Sequence, residues 1–288
     1  MSLALDSARI PFSILMAVYA KERPDYLASA LGSVASQTRL PDQVVIVCDG
    51  PLTAELDQVL EHYTAVLPLT VVRQAKNRGL SHALNAGLPH CSHEWIARFD
   101  SDDLCESTRF AEQVAFIAEH PAVDVFGANI VEFATDSAAP HAIRTVPQSH
   151  DAILNAAKLR NPLNHVTVFF RKSVVEAAGG YPHRASNEDY ALWVELMCRG
   201  CQFANMGRSL VRVRAGNEMV SRRGGLSYLR AEVRLQNHFR RTGFIGIPRY
   251  LFNVGVRIAI RLAPQWLRQQ AYHTFLRRRP SVSNSKEE

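Results

Sequence analysis

The chain has 288 residues, of which 47% are hydrophobic and 21% are charged, and this composition excludes a largely disordered protein. A chain of this length buries roughly three quarters of the surface that it exposes when unfolded, so it needs neither disulfides nor a structural metal. Its five cysteines include a single C-x-x-C pair, Cys198 and Cys201, which is too little for a structural zinc site. We expect reduced thiols and, because no basic leader precedes the apolar N-terminal segment, a cytosolic location.

The net charge of +6 is distributed unevenly. Residues 1–207 carry 16 basic and 23 acidic side chains, whereas residues 208–279 carry 16 arginines and only two acids. The sequence therefore predicts an acidic body with a basic C-terminal extension.

Short apolar segments alternate with amphipathic ones along the first hundred residues. Strands are predicted at 10–19, 43–50, 69–73 and 94–100, and helices from Pro24, over 53–67 and over 80–88. This alternation predicts an α/β fold with a mostly parallel sheet flanked by helices. Ligands of such sheets bind beyond the carboxyl ends of the strands, so the polar residues after each strand are expected to share one pocket.

Three carboxylates follow the fourth predicted strand, at Asp100, Asp102 and Asp103. Such a cluster repels itself unless a cation or several donors compensate it, and carboxylate oxygens suit Mg²⁺ or Mn²⁺. A second interpretation is that Asp103, Ser107 or Thr108 caps the following helix, and the two interpretations are compatible.

The sequence has neither the GxxxxGK[ST] nor the GxGxxG signature of phosphate-binding loops. Phosphates are therefore expected to bind through a metal on Asp102, helped by Lys76 and Arg78. This chemistry indicates a nucleotide diphosphate that carries another group.

Several segments, taken in order, resemble the family-2 glycosyltransferases with the GT-A fold. They are ILMAVYAKERPDYLASALGSVASQT, VIVCDGP, KNRGLSHALNAGL, RFDSDD, NPLNHVTVFFRKSVVEAAGGYP and NEDYALWVEL. The resemblance implies inverting transfer of a sugar from a nucleotide diphosphate sugar, with UDP-hexose expected before GDP or dTDP sugars, in bacterial surface polysaccharide biosynthesis. It also implies a nucleotide-sugar-binding half at 1–110, an acceptor-binding half at 111–220 and a basic helical extension at 221–288.

The resemblance implies roles for individual residues. Asp49 matches the acid that binds the nucleobase, Asp100 the first acid of the DxD motif near the ribose, and Asp102 the ligand of Mn²⁺ or Mg²⁺. The other expected nucleotide contacts are Ala17, Tyr19, Glu22, Lys76, Arg78 and Ser101. The chain has Cys48-Asp49-Gly50 where the family usually has DDG, and the acid beside the glycine is kept.

Inverting transfer needs a carboxylate that takes the proton from the acceptor hydroxyl. The resemblance gives this role to Asp189, with Glu188 as its neighbour in the motif. Alternatively, both acids complement a helix N-terminus that is capped by Ser186 or Asn187.

Further residues in these segments have two interpretations each. His165 lines the acceptor site or is a hydrogen-bonded core residue, and Asn85 bonds local backbone or a ligand. Arg222 and Arg223 close over the diphosphate as a lid or belong to a solvated basic face.

The segment 248–278 places Asn253, Arg257, Arg261 and Arg268 on one helical stripe, with apolar side chains around the rest. Arginine interrupts it too often for a membrane-spanning helix. We predict a helix lying in the inner-membrane interface, next to a polyprenyl-diphosphate-linked or other glycan acceptor. The alternative is that this segment packs against the body.

Two competing function classes follow from the same sequence. A non-catalytic protein would use the basic extension to bind nucleic acid or anionic membrane, but the acids at the strand end would repel phosphate, so we expect no nucleic-acid partner. An enzyme that makes nucleotide sugars would need a glycine- and lysine-rich activating loop near the first strand, which residues 20–23 do not resemble.

Overall fold

The computed structural model describes residues 10–134, 136–183, 187–215 and 225–262. Within them, the chain forms nine strands in one sheet, with helices on both faces. The strands are β1 (Phe12–Val18), β2 (Gln43–Cys48), β3 (Leu69–Arg73), β4 (Trp95–Arg98), β5 (Leu104–Cys105), β6 (Val125–Phe133), β7 (Pro140–Arg144), β8 (Phe169–Arg171) and β9 (Phe203–Arg214). The helices are α1 (Pro24–Ala35), α2 (Ala54–Thr64), α3 (Leu80–Gly87), α4 (Arg109–Glu119), α5 (His150–Ala157), α6 (Lys172–Ala177), α7 (Glu188–Cys198), α8 (Gly225–Arg241) and α9 (Ile247–Leu262).

The sheet is mostly parallel, as predicted. Its order is β3-β2-β1-β4-β8-β6-β9-β5, with β7 beside β6. Strands β1 to β4 are parallel, and β8 runs antiparallel between β4 and β6. Because β6 is antiparallel to β8 and parallel to β9, both β6 and β9 have the direction of β1 again. The carboxyl ends of β1, β2 and β4 therefore lie at one edge.

Strand β1 shows why the apolar segments form this layered core. Ile14 and Met16 pack on the face that carries α1, α2 and α4, whereas Leu15 packs on the opposite face, with α3, α7 and α8. Successive side chains of a strand point to opposite faces, so a continuous apolar run is buried only when helices cover both.

Local chemistry sets most element ends. Helix α1 begins at Pro24, as predicted, because proline at the first helical position costs no backbone hydrogen bond. Thr53 caps α2, its hydroxyl accepting the Leu56 N–H. Thr108 occupies the N-cap position of α4, as one of the predicted candidates. Its hydroxyl donates to the Glu112 carboxylate at 2.6 Å and makes no capping bond with the backbone.

The apolar run VTVFF at residues 166–170 is extended only toward its end. Residues His165–Thr167 form a 3-10 turn, because the Thr167 N–H and hydroxyl both donate to the Asn164 carbonyl. The strand begins only at Phe169.

Helix α9 packs against the body through its polar side. Asn253 is fully buried, and its amide donates to the Lys158 carbonyl and to Gln236 of α8, each at 2.7 Å. Arg257 donates to the Leu159 carbonyl at 2.9 Å. Part of the stripe predicted at 248–278 therefore faces the body; Arg268 lies outside the described residues.

None of the helices in the described part of the chain is both long and apolar enough to cross a membrane.

Candidate active site

Asp49 joins the loops that follow β2 and β3. It is buried, and its carboxylate accepts the N–H groups of Arg78 at 2.8 Å and Gly79 at 2.9 Å, where α3 begins. Gly50 has φ +90°, and a β-carbon there would lie 2.7 Å from the Asn77 nitrogen. The glycine after Asp49 is therefore required by the close approach of these two loops.

The loop after β1 meets the acidic turn after β4. The Ser101 hydroxyl donates to the Glu22 carboxylate at 2.6 Å. Ala17 is half-buried near the end of β1, and Tyr19 is exposed. Lys76 and Arg78 have exposed side chains beside the same loops, so the expected nucleotide-binding residues gather at the carboxyl edge of the sheet.

The three clustered aspartates have different environments. Asp103 is buried and accepts the Arg214 N–H at 2.8 Å, so it holds β9 and is unsuited to bind a metal. Burial raises the pKa of Asp102 to about 7, with further contributions from the negative charges of Asp100 and Glu22. The prediction that Asp103 caps a helix is wrong, because β9 takes its carboxylate.

The remaining acids fit a hard divalent cation. Among the described residues, no group of three or more His, Cys, Asp or Glu side chains is arranged to hold a metal by itself. Mg²⁺ is commonly held by one or two carboxylates and takes its other oxygens from substrate phosphates and water. Asp102 supplies a carboxylate whose pKa is raised first by burial and then by the charges of Asp100 and Glu22, and a cation beside it would favour its ionised form.

Arg98 is a buried cation paired with Asp100, and no role was predicted for it. Its guanidinium donates to the Phe99 carbonyl and to the Asp100 carboxylate. Its positive charge also lowers the pKa of Glu188, although that pKa is raised overall. A basic residue inside an apolar strand, two positions before an acid, was the available signal, because residues two apart share a strand face.

The acids of the second half lie at the start of α7. Asn161 donates its amide to the Asp189 carboxylate at 2.6 Å, which fixes the orientation of that carboxylate. Burial, and then the charge of Asp189, raises the pKa of Glu188 to about 7. Asn187 is the N-cap residue, in the left-handed region at φ 60°, with no capping bond from its side chain. The predicted Asn187 side-chain cap is thus wrong, and Ser186 lies outside the described residues.

His165 and Asn85 each contact Tyr181. His165 Nε2 lies 3.0 Å from the Tyr181 hydroxyl, and burial holds the pKa of His165 well below its ordinary value. This geometry favours the core interpretation of His165. Asn85 donates to the Tyr181 carbonyl at 2.8 Å and accepts the Tyr181 N–H at 2.7 Å, so it bonds distant backbone, which neither interpretation of this residue foresaw.

The site therefore draws on both halves of the sequence. The first half brings Glu22, Asp49, Asp100, Ser101 and Asp102 to the edge of the sheet, and the charge of Arg98 links them to Glu188. Arg222 and Arg223, the predicted lid residues, lie outside the described residues.

Several known proteins are similar to this chain over most of its length. The family model described as Glycosyl transferase family 2 matches residues 13–177. An uncharacterized glycosyltransferase of Haemophilus influenzae is 42% identical over 93% of this chain and 99% of its own length. The amylovoran biosynthesis glycosyltransferase AmsE of Erwinia amylovora is 39% identical over 91% of this chain and 97% of its own.

A third relative carries a specific name. The UDP-Gal:alpha-D-GlcNAc-diphosphoundecaprenol beta-1,3-galactosyltransferase of Escherichia coli is 36% identical over 93% of this chain and 97% of its own length.

Two solved structures share the fold at low sequence identity. TarS of S. aureus (residues 1–349), in complex with UDP, has a TM-score of 0.63 at 18% identity and covers 91% of this chain and 74% of that chain. The mannosyltransferase PcManGT of Pyrobaculum calidifontis, in complex with GDP-Man and Mn²⁺, has a TM-score of 0.58 at 17% identity and covers 93% and 78%.

The sheet and the acids at its strand ends thus define a glycosyltransferase with the GT-A fold. The chain belongs to Glycosyl transferase family 2. This membership confirms the predicted class of enzyme.

Proposed function

We propose that the protein transfers a hexose from UDP-hexose, with inversion, to a polyprenyl-diphosphate-linked glycan acceptor in bacterial surface polysaccharide biosynthesis. The observation that carries this proposal is the approach of two acidic sites, Asp100 and Asp102 from the first half and Glu188 and Asp189 from the second, around Arg98. One site suits a diphosphate and its metal, and the other suits proton abstraction.

Asp189 is the proposed general base. In an inverting reaction, the acceptor oxygen attacks the anomeric carbon as its proton passes to a carboxylate, and the bond to the diphosphate oxygen breaks on the opposite side. Asn161 holds the Asp189 carboxylate by one oxygen at 2.6 Å, and this bond limits the rotation of the base. Such orientation contributes to rate by keeping the reacting groups in line.

Glu188 is proposed to assist Asp189. Its pKa of about 7 gives it a substantial protonated fraction near neutrality, so it adds less negative charge beside the base than an ordinary glutamate. The nearby Arg98 charge opposes this effect in part. Together, they set the electrostatic environment in which Asp189 accepts a proton.

Asp102 is proposed to hold Mn²⁺ or Mg²⁺, which when bound stabilises the charge that develops on the leaving diphosphate. Lys76 and Arg78 have exposed side chains near the same edge and are proposed to contact the phosphates. Support for a divalent metal comes from the chemistry of the acids and from PcManGT, whose structure contains Mn²⁺.

The nucleoside is proposed to bind between the first two loops. Asp49 is assigned to the nucleobase and Asp100 to the ribose, with Ala17, Tyr19, Glu22 and Ser101 lining the site. Each Asp49 oxygen already accepts one N–H, and a carboxylate oxygen can accept a second bond. UDP is favoured because TarS binds UDP and the E. coli relative is named as a UDP-Gal transferase.

A calorimetric titration tests the donor and the metal. UDP, GDP and dTDP are titrated with and without Mn²⁺ into the wild type, Asp102→Ala and Asp57→Ala. Asp57 pairs with Arg73 on the surface, so its variant controls for the loss of a carboxylate. We expect Mn²⁺ to tighten UDP binding to the wild type and to Asp57→Ala, and to have no such effect on Asp102→Ala. Equal Mn²⁺ effects in all three would contradict the metal assignment.

A lipid-linked acceptor is supported by the E. coli relative, whose name includes diphosphoundecaprenol. The surface of α9 offers independent support. Its polar side is turned to the body through Asn253, while four apolar side chains are exposed, namely Ile247 (62%), Leu251 (63%), Phe252 (56%) and Ile258 (39%). A helix that packs by its polar side and exposes its apolar side is suited to an apolar environment outside the protein.

Exposed arginines accompany this apolar face. Arg234, Arg240 and Arg241 are exposed on α8 and Arg249 on α9, and the Arg249 guanidinium lies 5.9 Å from the centre of the Phe252 ring. Positive side chains beside exposed apolar ones favour a surface of anionic lipid. We propose that α9 lies on the cytosolic face of the inner membrane and brings the active site to its acceptor.

Vesicle sedimentation tests this position. The full chain is mixed with phosphatidylglycerol or phosphatidylcholine vesicles, as the wild type, as Leu251→Asp/Phe252→Asp and as a control, Leu40→Asp/Val66→Asp, which replaces two similarly exposed apolar residues elsewhere. We expect the α9 variant to bind anionic vesicles at least about tenfold more weakly and the control to bind as the wild type. Equal binding by both variants, or a change of oligomeric state without vesicle binding, would contradict the proposal.

A further inference from the structure

Helix α3, in the donor-binding half, forms hydrogen bonds with the segment around Tyr181, which precedes the proposed catalytic acids on α7. Asn85 donates to the Tyr181 carbonyl and accepts the Tyr181 N–H, at 2.8 and 2.7 Å. The Asn85 side-chain amide uses both its nitrogen and its oxygen, so the two peptide groups on either side of the Tyr181 α-carbon have little freedom to rotate. A second contact lies beside it, because the His82 and His183 rings stack with centroids 3.9 Å apart and planes 16° apart.

The Asn85 side chain lies so close to the main chain before Tyr181 that only glycine fits at residue 180. Gly180 has φ +81°, and a β-carbon at that position would lie 2.5 Å from the Asn85 Oδ1 atom. The preceding Gly179 has φ +87° and open space around it. Gly180 is therefore required by Asn85 as well as by its backbone conformation.

Contacts continue from Tyr181 to the helix that carries the acids. The Tyr181 hydroxyl and His165 Nε2 are 3.0 Å apart, and the His165 ring meets the edge of Trp193 at 5.9 Å between centroids. Trp193 is fully buried on α7, one helical turn after Asp189. Asn85 thus acts on α7 through packed, hydrogen-bonded side chains.

The N-terminal end of α3 contacts the loop after β2, which is part of the proposed donor site. Asp49 accepts the N–H groups of Arg78 and Gly79 where this helix begins. Helix α3 is short, running from Leu80 to Gly87, so one rigid element connects the residue assigned to the nucleobase with the residue that holds Tyr181.

We propose that Asn85 is a positioning residue, which holds the first turn of α7, and with it Asp189, in register with the donor loops. This inference rests on the proposed base role of Asp189. Its consequence is that the distance between donor and base depends on a residue that contacts neither.

The test compares two asparagines that make matched bonds. Asn129 also donates to one main-chain carbonyl, of Gly207 at 2.8 Å, and accepts one main-chain N–H, of Val146 at 2.9 Å, and neither partner belongs to the segment from Gly179 to α7. Asn85→Ala and Asn129→Ala each lose two such bonds, so both are expected to lower the melting temperature. Only the first is expected to affect the start of α7.

The first readout is amide hydrogen exchange in a peptide covering residues 188–193, which needs no substrate. We expect exchange there to accelerate at least about tenfold in Asn85→Ala and to stay within about twofold of wild type in Asn129→Ala. Equal exchange in the two variants would overturn the positioning role.

The second readout is transfer at saturating acceptor. We expect kcat to fall on the order of 10–100-fold in Asn85→Ala, with the KM for the donor within about twofold of wild type. In an Asp189→Asn background, the same substitution is expected to cause no further loss, because the two residues act as one unit. A purely structural role would lower stability and leave kcat per folded molecule as in Asn129→Ala.

The outcomes separate this inference from the proposed function. If Asp189→Asn transfers as the wild type does, the base assignment fails, while the exchange result still decides whether Asn85 holds α7. If Asn85→Ala does not fold, Asn85→Asp and His82→Ala provide the same comparison. Asn85→Asp removes the bond donated to the Tyr181 carbonyl, and His82→Ala removes the stacking on His183. Wild-type exchange and kcat in those two variants would overturn the inference.

Discussion

The guanidinium of Arg98 donates a hydrogen bond to the carboxylate of Asp100 from a position where 1% of the arginine side chain is exposed. Arg98 ends β4 and Asp100 follows two residues later. In the second half of the chain, the same positive charge partly opposes the rise that burial causes in the pKa of Glu188, and it adds to burial in lowering the pKa of His165. One buried cation therefore acts on groups from both halves of the site.

Removal of this cation is expected to destabilise the fold. Arg98→Leu leaves the Phe99 carbonyl without its buried donor and Asp100, which is 37% exposed, without its ion-pair partner; such a loss costs on the order of 1–3 kcal/mol. Arg73→Leu breaks the exposed pair with Asp57 and is expected to cost less than about 1 kcal/mol. Urea unfolding of both variants measures the difference. Equal free energies of unfolding in the two variants would show that the Arg98 charge is not buried as described.

The pH dependence of stability is expected to report on Glu188. Its pKa is raised from 4.5 to about 7 in the folded protein, so between these pH values the folded state binds more protons than the unfolded state. The contribution of Glu188 to stability therefore falls as the pH rises through this window. Relative to Glu188→Gln, the wild type should lose on the order of 2–3 kcal/mol between pH 4.5 and pH 7.

Chemical unfolding at several pH values measures this difference. Glu195→Gln, on the same helix and paired with Arg199, controls for the loss of a carboxylate from α7. A wild-type minus Glu188→Gln difference that stays constant across the window would contradict a raised pKa at Glu188.

Gly179 and Gly180 separate the cost of a positive φ from the cost of a steric clash with Asn85. Gly179→Ala meets open space, so it is expected to lose only the cost of a positive φ, on the order of 1 kcal/mol. Gly180→Ala adds a 2.5 Å approach to Asn85 Oδ1 and should cost at least about 1 kcal/mol more. Thermal unfolding compares the two. Identical losses would mean that Asn85 moves away from Tyr181 at little cost.

The attachment of α9 is expected to depend on Asn253. Asn253→Ala leaves the Lys158 carbonyl and the Gln236 amide oxygen without their buried donor, which costs on the order of 1–3 kcal/mol. Asn237→Ala, which removes an exposed bond with Arg240, should change stability by less than about 0.5 kcal/mol. Hydrogen exchange of α9 amides provides the measurement, and unchanged protection in Asn253→Ala would contradict the described docking.

The sequence was sufficient for the elements whose pattern is local. Apolar runs such as FSILMAV of β1 indicate strands covered on both faces, and Pro24 marks a helix start. The position of Asp49 and Asp102 at the same edge of the sheet followed from the rule that parallel strands end at one edge. These features depend on periodicity and chain direction, which a sequence displays.

Hydrogen-bond partners that are distant in the sequence could not be predicted from local patterns. Asp103 looked like a ligand or a cap, yet it bonds Arg214, more than a hundred positions later in the chain. Asn85 bonds Tyr181, which is equally remote from local patterns. The stripe that includes Asn253 identified an amphipathic helix correctly, but periodicity does not show which face meets the body.

The most direct test of the whole account is transfer by Asp189→Asn, measured together with its affinity for UDP in the presence of Mn²⁺. Asparagine keeps the size of the side chain but cannot take the proton from the acceptor hydroxyl. We expect UDP binding within about twofold of wild type and a loss of kcat of at least about 100-fold. Wild-type transfer by Asp189→Asn would contradict the assignment of Asp189 as the general base.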